Sequence, residues 1–290
     1  MALTTTVTVK ALLGISAASV AEDAWLDALR DHAEVIVKEY TARDFERQNY
    51  TEYYDGTGTR YLTLRQRPVT PVTRAATRTS GSTLVTGLTD TADLLVGMAV
   101  AGTGIPAGTT VAALTSATSV TLSAAVTASG TSTLVFGLAA WSDWTGYHGH
   151  NPTGAFAATT ALTFGTDFGL DFDKGGTTSR SGLLIRFDTS WSELDYRGRP
   201  GVLLQEPGAS FGSVKVAYTA GYQTIPKDIQ AAVAYLVAFL KRTMPLGADV
   251  HSERIGGYSY ELVPFMLRRS EQPELGTARQ LLSRYKEPVF

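Results

Sequence analysis

The chain has 290 residues, 44% hydrophobic and 18% charged, with a formal net charge of −2 and no cysteine. That balance describes a folded, weakly charged chain, excludes wholesale disorder and offers no bulk positive charge for wrapping nucleic acid. Without cysteine, thiol catalysis, cysteine-ligated zinc and disulfide stapling are excluded, and the length allows one large domain or two modest ones.

The opening "MALTTTVTVKALLGIS" holds one lysine and no long apolar core, so no signal peptide is expected. The longest apolar run, Ala231 to Leu240, is too short to cross a bilayer, which predicts a soluble protein with no membrane partner. The first strong element is "SVAEDAWLDALRDHAEVIVKEYTAR". Ser19 and Glu22 have capping-box spacing, and Trp25, Leu29, Ile36 and Tyr40 recur at helical intervals beside Leu26, Ala33 and Val37. An amphipathic helix with one buried face is expected.

Asn49 to Val69 follows, with Asp55-Gly56 as a hairpin signal between aromatic and β-branched residues. Pro68 and Pro71 end the second strand, because neither can donate to a ladder. After Arg78 the composition changes. Between Asp93 and Asp143 there is no charged residue, yet the runs "STLVTGL", "GMAVAG", "TTVAAL", "SVTLSA" and "STLVFG" recur between Gly- and Pro-containing turns. Such spacing predicts a small all-β module, placed at residues 77–140.

Beyond it, "ALTFGTDFGLDFDKGGTTSRSGLLIRF" suggests strands joined by Gly-rich turns. In "VKVAYTAGYQTIP", Val214, Val216 and Tyr218 alternate as in a half-buried strand, Gly221 punctuates it, and Pro226 suits the first turn of a helix. That helix carries Ile229, Ala232, Val233, Leu236, Val237 and Leu240 on a wide apolar face and should be nearly surrounded by protein. A short terminal helix presents Ala278, Leu281, Leu282 and Tyr285. The predicted fold class is α+β: a helical core with a long N-terminal, an apolar central and a short C-terminal helix, strand and hairpin elements, and an inserted all-β domain. The core domain is discontinuous, residues 1–76 and 141–290, built from the first helix, the Ile229 helix and the strands at Tyr61 and Val214.

No catalytic set emerges. His148 and His150 are two imidazoles without a third ligand, read as part of a Gly-rich loop. His32 lies beside the apolar face of the first helix, and His251 has no serine or acid neighbour that makes it a base. Asp171 and Asp173 start like a calcium loop, but no acid closes it before Leu183, so a turn between strands is expected. "GTGIPAG" lacks the Lys-Ser/Thr of a phosphate loop. The arginine pairs Arg65 and Arg67, Arg197 and Arg199, and Arg268 and Arg269 read either as a phosphate-facing surface or as solvated strand ends. No enzyme activity, cofactor or metal is expected.

The order of these pieces, with "SERIGGYSYEL" and "ARQLLSRYK" in the tail, resembles the head–tail connector (adaptor, or head-completion) proteins of long-tailed bacteriophages. The resemblance covers roughly residues 11–72 and 146–286 and is most specific at Val214 to Leu240 and at "SERIGGYSY". The charge-free tract departs from the family pattern. The resemblance implies a homo-oligomeric ring, twelvefold, beneath the portal protein of the virion neck, assembled in the host cytoplasm. Such a ring extends the channel for double-stranded DNA without sequence-specific binding, and joins the filled head to a neck or tail-completion protein. Its sites would be interfaces, here Ser252, Glu253, Arg254, Ile255, Gly256, Gly257, Tyr258 and Tyr260, a docking loop with flexible glycines, together with Arg65 and Arg67. Low net charge suits a channel that must not retain DNA.

Two rivals stay open. Trp141, Trp144 and Tyr147 cluster after the insert, where they would stack on sugars in a carbohydrate- or surface-binding β module. A hydrolase assembled from dispersed acids would need a pocket with at least two perturbed carboxylates, for which the sequence has no motif.

Overall fold

A computed structural model describes residues 2–54, 59–142, 161–174, 176–187, 191, 214–243, 252–255, 258–261 and 273–286. The chain divides into two units, Met1–Glu46 with Tyr222–Phe290, and Arg47–Gly221.

Within Arg47–Gly221, strands β1 (Gln48–Tyr54), β9 (Leu138–Ser142), β10 (Ala161–Leu162) and β13 (Val214–Ala220) form an antiparallel sheet in the order β1-β13-β9-β10. A three-stranded sheet has the order β11-β12-β2, from Phe168–Leu170, Leu183–Arg186 and Tyr61–Thr63. The two strands flanking Asp55-Gly56 therefore do not form the expected hairpin. β1 pairs with β13 from Gln48↔Ala220 to Tyr54↔Val214, whereas β2 pairs with β12. The period-2 pattern decides this. In that register Tyr50, Glu52 and Tyr54 lie opposite Tyr218, Val216 and Val214, so one face of a seven-residue ladder meets the alternation of β13. A three-residue strand offers β1 far less. The β13 alternation appears as read, with Val214, Val216 and Tyr218 buried. Gly221, at φ 105°, closes the strand and donates its N–H to the Pro68 carbonyl at 2.9 Å.

A six-stranded sheet has the order β5-β8-β3-β4-β7-β6. Its strands are β3 (Val72–Arg78), β4 (Leu84–Thr86), β5 (Val100–Ala101), β6 (Val111–Ser116), β7 (Ser119–Leu122) and β8 (Gly130–Phe136), and each apolar run of the charge-free tract supplies one. Val85, Met98, Val120, Leu134 and Phe136 fill its core. The expected limits at 77 and 140 fall inside β3 and inside β9, which belongs to the β13 sheet. Gly137 makes the passage between the two sheets. Its φ of 80° suits only glycine, and a Cβ there would stand 2.9 Å from Thr219 Oγ1.

The other unit holds α1 (Thr6–Leu13), α2 (Asp23–Thr41), α3 (Lys227–Thr243), α4 (Pro273–Leu282) and the paired strands β14 (Ser252–Ile255) and β15 (Tyr258–Glu261). The first helix was not expected, since threonine and valine dominate its start. It forms because Thr5 caps Thr8 N–H and Gly14 closes the last turn in the left-handed region. The capping box at Ser19 does not form: α2 starts at Asp23 without a side-chain cap. Buried Lys10 of α1 instead ties the start of α2 to α1, donating to the Ser19 carbonyl at 2.6 Å and pairing with Asp23. The α2 stripe is Leu26, Leu29, Ala33 and Val37, with Trp25 turned out at 36% exposure beneath Lys241 Nζ. In α3 all six expected residues are buried, and Ala234 and Phe239 with them, so the helix is enclosed on more than one side. Ala278 and Leu282 of α4 join the same core, with Leu281 and Tyr285 at its margin.

The expected joint core of helices and strands is replaced by separate ones. Leu26, Val37, Phe45, Val233, Val237 and Leu282 belong to a helical cluster, whereas Leu62, Leu64, Trp191, Val214, Val216 and Tyr218 close over another. Each set of elements buries its own apolar face.

Candidate functional site

Ser252, Glu253, Arg254 and Ile255 form β14, and Tyr258 and Tyr260 lie in β15; Gly256 and Gly257, between them, lie outside the described residues. The expected docking loop thus has regular backbone on both sides of the glycine pair. Glu253 stands opposite Tyr260 and Ile255 opposite Tyr258, while Arg254 stands opposite Ser259 and Ser252 opposite Glu261. Among the described residues this pair joins no third strand.

Arg65 and Arg67 occupy the segment after β2, and a polar network holds that segment against β1 and β13. Tyr54 and Tyr218 both donate to Glu52 Oε2, the latter at 2.6 Å. Each hydroxyl in turn accepts a backbone N–H at 3.0 Å, from Arg65 and Gln66 respectively. Burial pushes both phenols well above the ordinary tyrosine range, and Glu52 adds to the shift. Arg65 is exposed, its guanidinium carbon 5.1 Å from the Tyr54 ring centre. Arg67 is half-buried and donates to the Ser181 carbonyl at 3.3 Å. The two arginines are thus set differently, one on the surface and one tying the segment to the β11–β12 loop.

That loop is the Asp171–Asp173 stretch, and it is the turn expected from the sequence. Ser181 Oγ donates to Asp171 at 3.0 Å, and Arg180 pairs with Asp173 at 3.1 Å. Among the described residues no group of three or more His, Asp or Glu is placed to hold a metal ion. His32 is exposed on α2. His148, His150, His251, Arg197, Arg199, Arg268 and Arg269 lie outside the described residues. So do Trp144 and Tyr147, while Trp141 is only 4% exposed, clustered with Ala99 and Ala139 and capped by Lys215 Nζ at 4.9 Å. A ring packed in this way presents no face for stacking on a sugar.

The Glu52 network is the polar feature that sequence reasoning missed. Its signal was the spacing of Tyr50, Glu52 and Tyr54, which puts a carboxylate between two aromatics on the inward face of a strand.

No family model and no curated protein matches the chain. Among solved structures, a chain of the neck of an empty gene transfer agent particle, computed with C6 symmetry, aligns at a TM-score of 0.31 and 11% identity, covering 97% of this chain and 88% of that one. A chain of the native particle's neck, computed with C12 symmetry, aligns at 0.32 and 11%, covering 92% and 85%. A chain of the native gene transfer agent virion aligns at 0.30 and 12%, covering 98% and 88%. At these TM-scores and identities the likeness is loose and carries no argument about function.

Proposed function

We propose that the chain is a structural virion protein of the head–tail connector type, a subunit of a twelvefold ring beneath the portal that carries the DNA channel toward the neck or tail. The order of sequence segments that resembles this family supports the reading. The observation that carries it is the β14–β15 pair. A two-stranded ribbon is marginally stable alone in water, and among the described residues no further strand joins this pair, whose sequence supplies Ile255, Tyr258 and Tyr260. Tyrosines on such a ribbon are apt anchors for a partner surface, because they bury area at small entropic cost and keep a polar end.

In this role Ser252 to Tyr260 and Arg65 meet neighbouring proteins, and Arg67 holds the Arg65 segment in place. The protein works by assembly, without catalysis or a cofactor, and a net charge of −2 leaves DNA free to slide. Immunogold labelling of intact particles with antibody against the chain tests the assignment. Gold at the junction of head and tail is expected; gold on capsid faces or at the tail tip would overturn it.

A further inference from the structure

The inward residues of β3 alternate as Val72, Arg74, Ala76 and Arg78, which sets two arginines on one face of the six-stranded sheet. Their circumstances differ. Arg74 Nη2 reaches Asp90 at 3.3 Å and Asp93 at 3.4 Å. Arg78 is 5% exposed, and neither its Nε nor its Nη1 has a hydrogen-bond partner among the described residues.

A guanidinium cannot shed its proton to escape burial. Left without an acceptor it is among the most unfavourable groups a fold can enclose. The module has nothing of its own to offer. From Thr79 to Ser142 the only carboxylates are Asp90 and Asp93, and both face Arg74. No carboxylate of the module is therefore placed to answer Arg78.

The residue facing Arg78 on the neighbouring strand has no side chain. Arg78 stands directly opposite Gly130 of β8, and side chains of directly opposed residues lie on the same side of a sheet. Gly130 is exposed, and a Cβ built on it would meet nothing within 4 Å.

We propose that Arg78 anchors an oxyanion site in the β module, taking a carboxylate or phosphate group from outside the chain on the side of the sheet that Gly130 leaves without a side chain. A guanidinium presents directed N–H donors, which suit the oxygens of an oxyanion better than a spherical halide.

Thermal unfolding and hydrogen exchange of the full chain, in sodium phosphate, sodium acetate and sodium chloride at equal ionic strength, test the site. Wild type should gain stability and added protection of β3 and β8 in at least one oxyanion, saturably, as ligand linkage requires. A response to phosphate alone assigns a phosphate-type ligand, and a response to acetate alone a carboxylate-type one. Arg78→Met should lose the response and be more stable than wild type in chloride, because an unpartnered charge has been replaced by an apolar chain. Arg78→Lys, which keeps the charge without the fork, should respond more weakly. Equal behaviour of wild type in all three salts would overturn the proposal, as would an undiminished response in either variant.

Discussion

Tyr54 and Tyr218, from neighbouring strands, donate to the same oxygen of Glu52. Tyr54 lies at the end of β1 and Tyr218 within β13, and through their hydroxyls they fix the backbone at Arg65 and Gln66. Three side chains thereby set the course of the segment that carries the exposed arginine. Tyr218 is 1% exposed, so removing its hydroxyl leaves the Gln66 N–H without its acceptor and Glu52 with one donor fewer. Tyr218→Phe should cost about 1–3 kcal/mol in urea unfolding. A loss below about 0.5 kcal/mol would show the network to be dispensable.

The same pair predicts how stability responds to alkali. Both phenols are raised above the ordinary tyrosine value, by burial first and then by their charged and polar neighbours. A group that holds its proton more tightly when folded contributes fully below the unfolded value, near pH 10, and less as pH rises above it. Unfolding free energy should therefore fall above about pH 10, by up to about 1.4 kcal/mol per pH unit for each phenol. Denaturation midpoints measured from about pH 9 upward check this, and Tyr218→Phe should show roughly half the slope.

Excision of the six-stranded module separates two placements of its limits. Val72 and Phe136 are directly opposed across β3 and β8, so Pro71 and Gly137 lie within reach of a short glycine linker. Removing residues 72–136 should leave a soluble protein with cooperative unfolding. Removing 77–140 takes away Leu138, Ala139 and Ala140, the partners of Tyr218, Ala217 and Val216 in the middle of a sheet. That deletion should aggregate or lose cooperativity, and equal solubility of the two would contradict the strand assignment.

Leu236 tests the helical core. It is 4% exposed on α3, in the cluster with Leu26, Val233 and Leu282. Leu236→Ala should cost about 2–5 kcal/mol. Leu236→Asp, which buries an unpaired carboxylate, should abolish the folded helical unit in circular dichroism and chemical unfolding.

The sequence revealed elements better than their partners. The apolar face of α3, the alternation of β13 and the strands of the charge-free tract follow from periodicity, because burial of one face dictates which residues recur. Pairing was less legible. Asp55-Gly56 suggested a local hairpin, but β1 took the distant β13, whose side-chain pattern fits all seven of its residues. The α1 helix was hidden because its threonines and valines are weak helix formers, and its caps carry the signal instead. Glu52 looked like one scattered acid until β13 brought Tyr218 to it across the whole inserted module. In the sequence Arg78 only marked where the composition changes, and its enclosure at 5% exposure became visible in the fold.

The most direct test of the connector assignment is electron microscopy of particles from a phage whose copy of this gene carries an early stop. The assignment predicts filled or leaking heads without tails, with tails restored by the wild-type chain supplied in trans but not by Tyr258→Ser/Tyr260→Ser. Normally tailed particles made without the protein would contradict it.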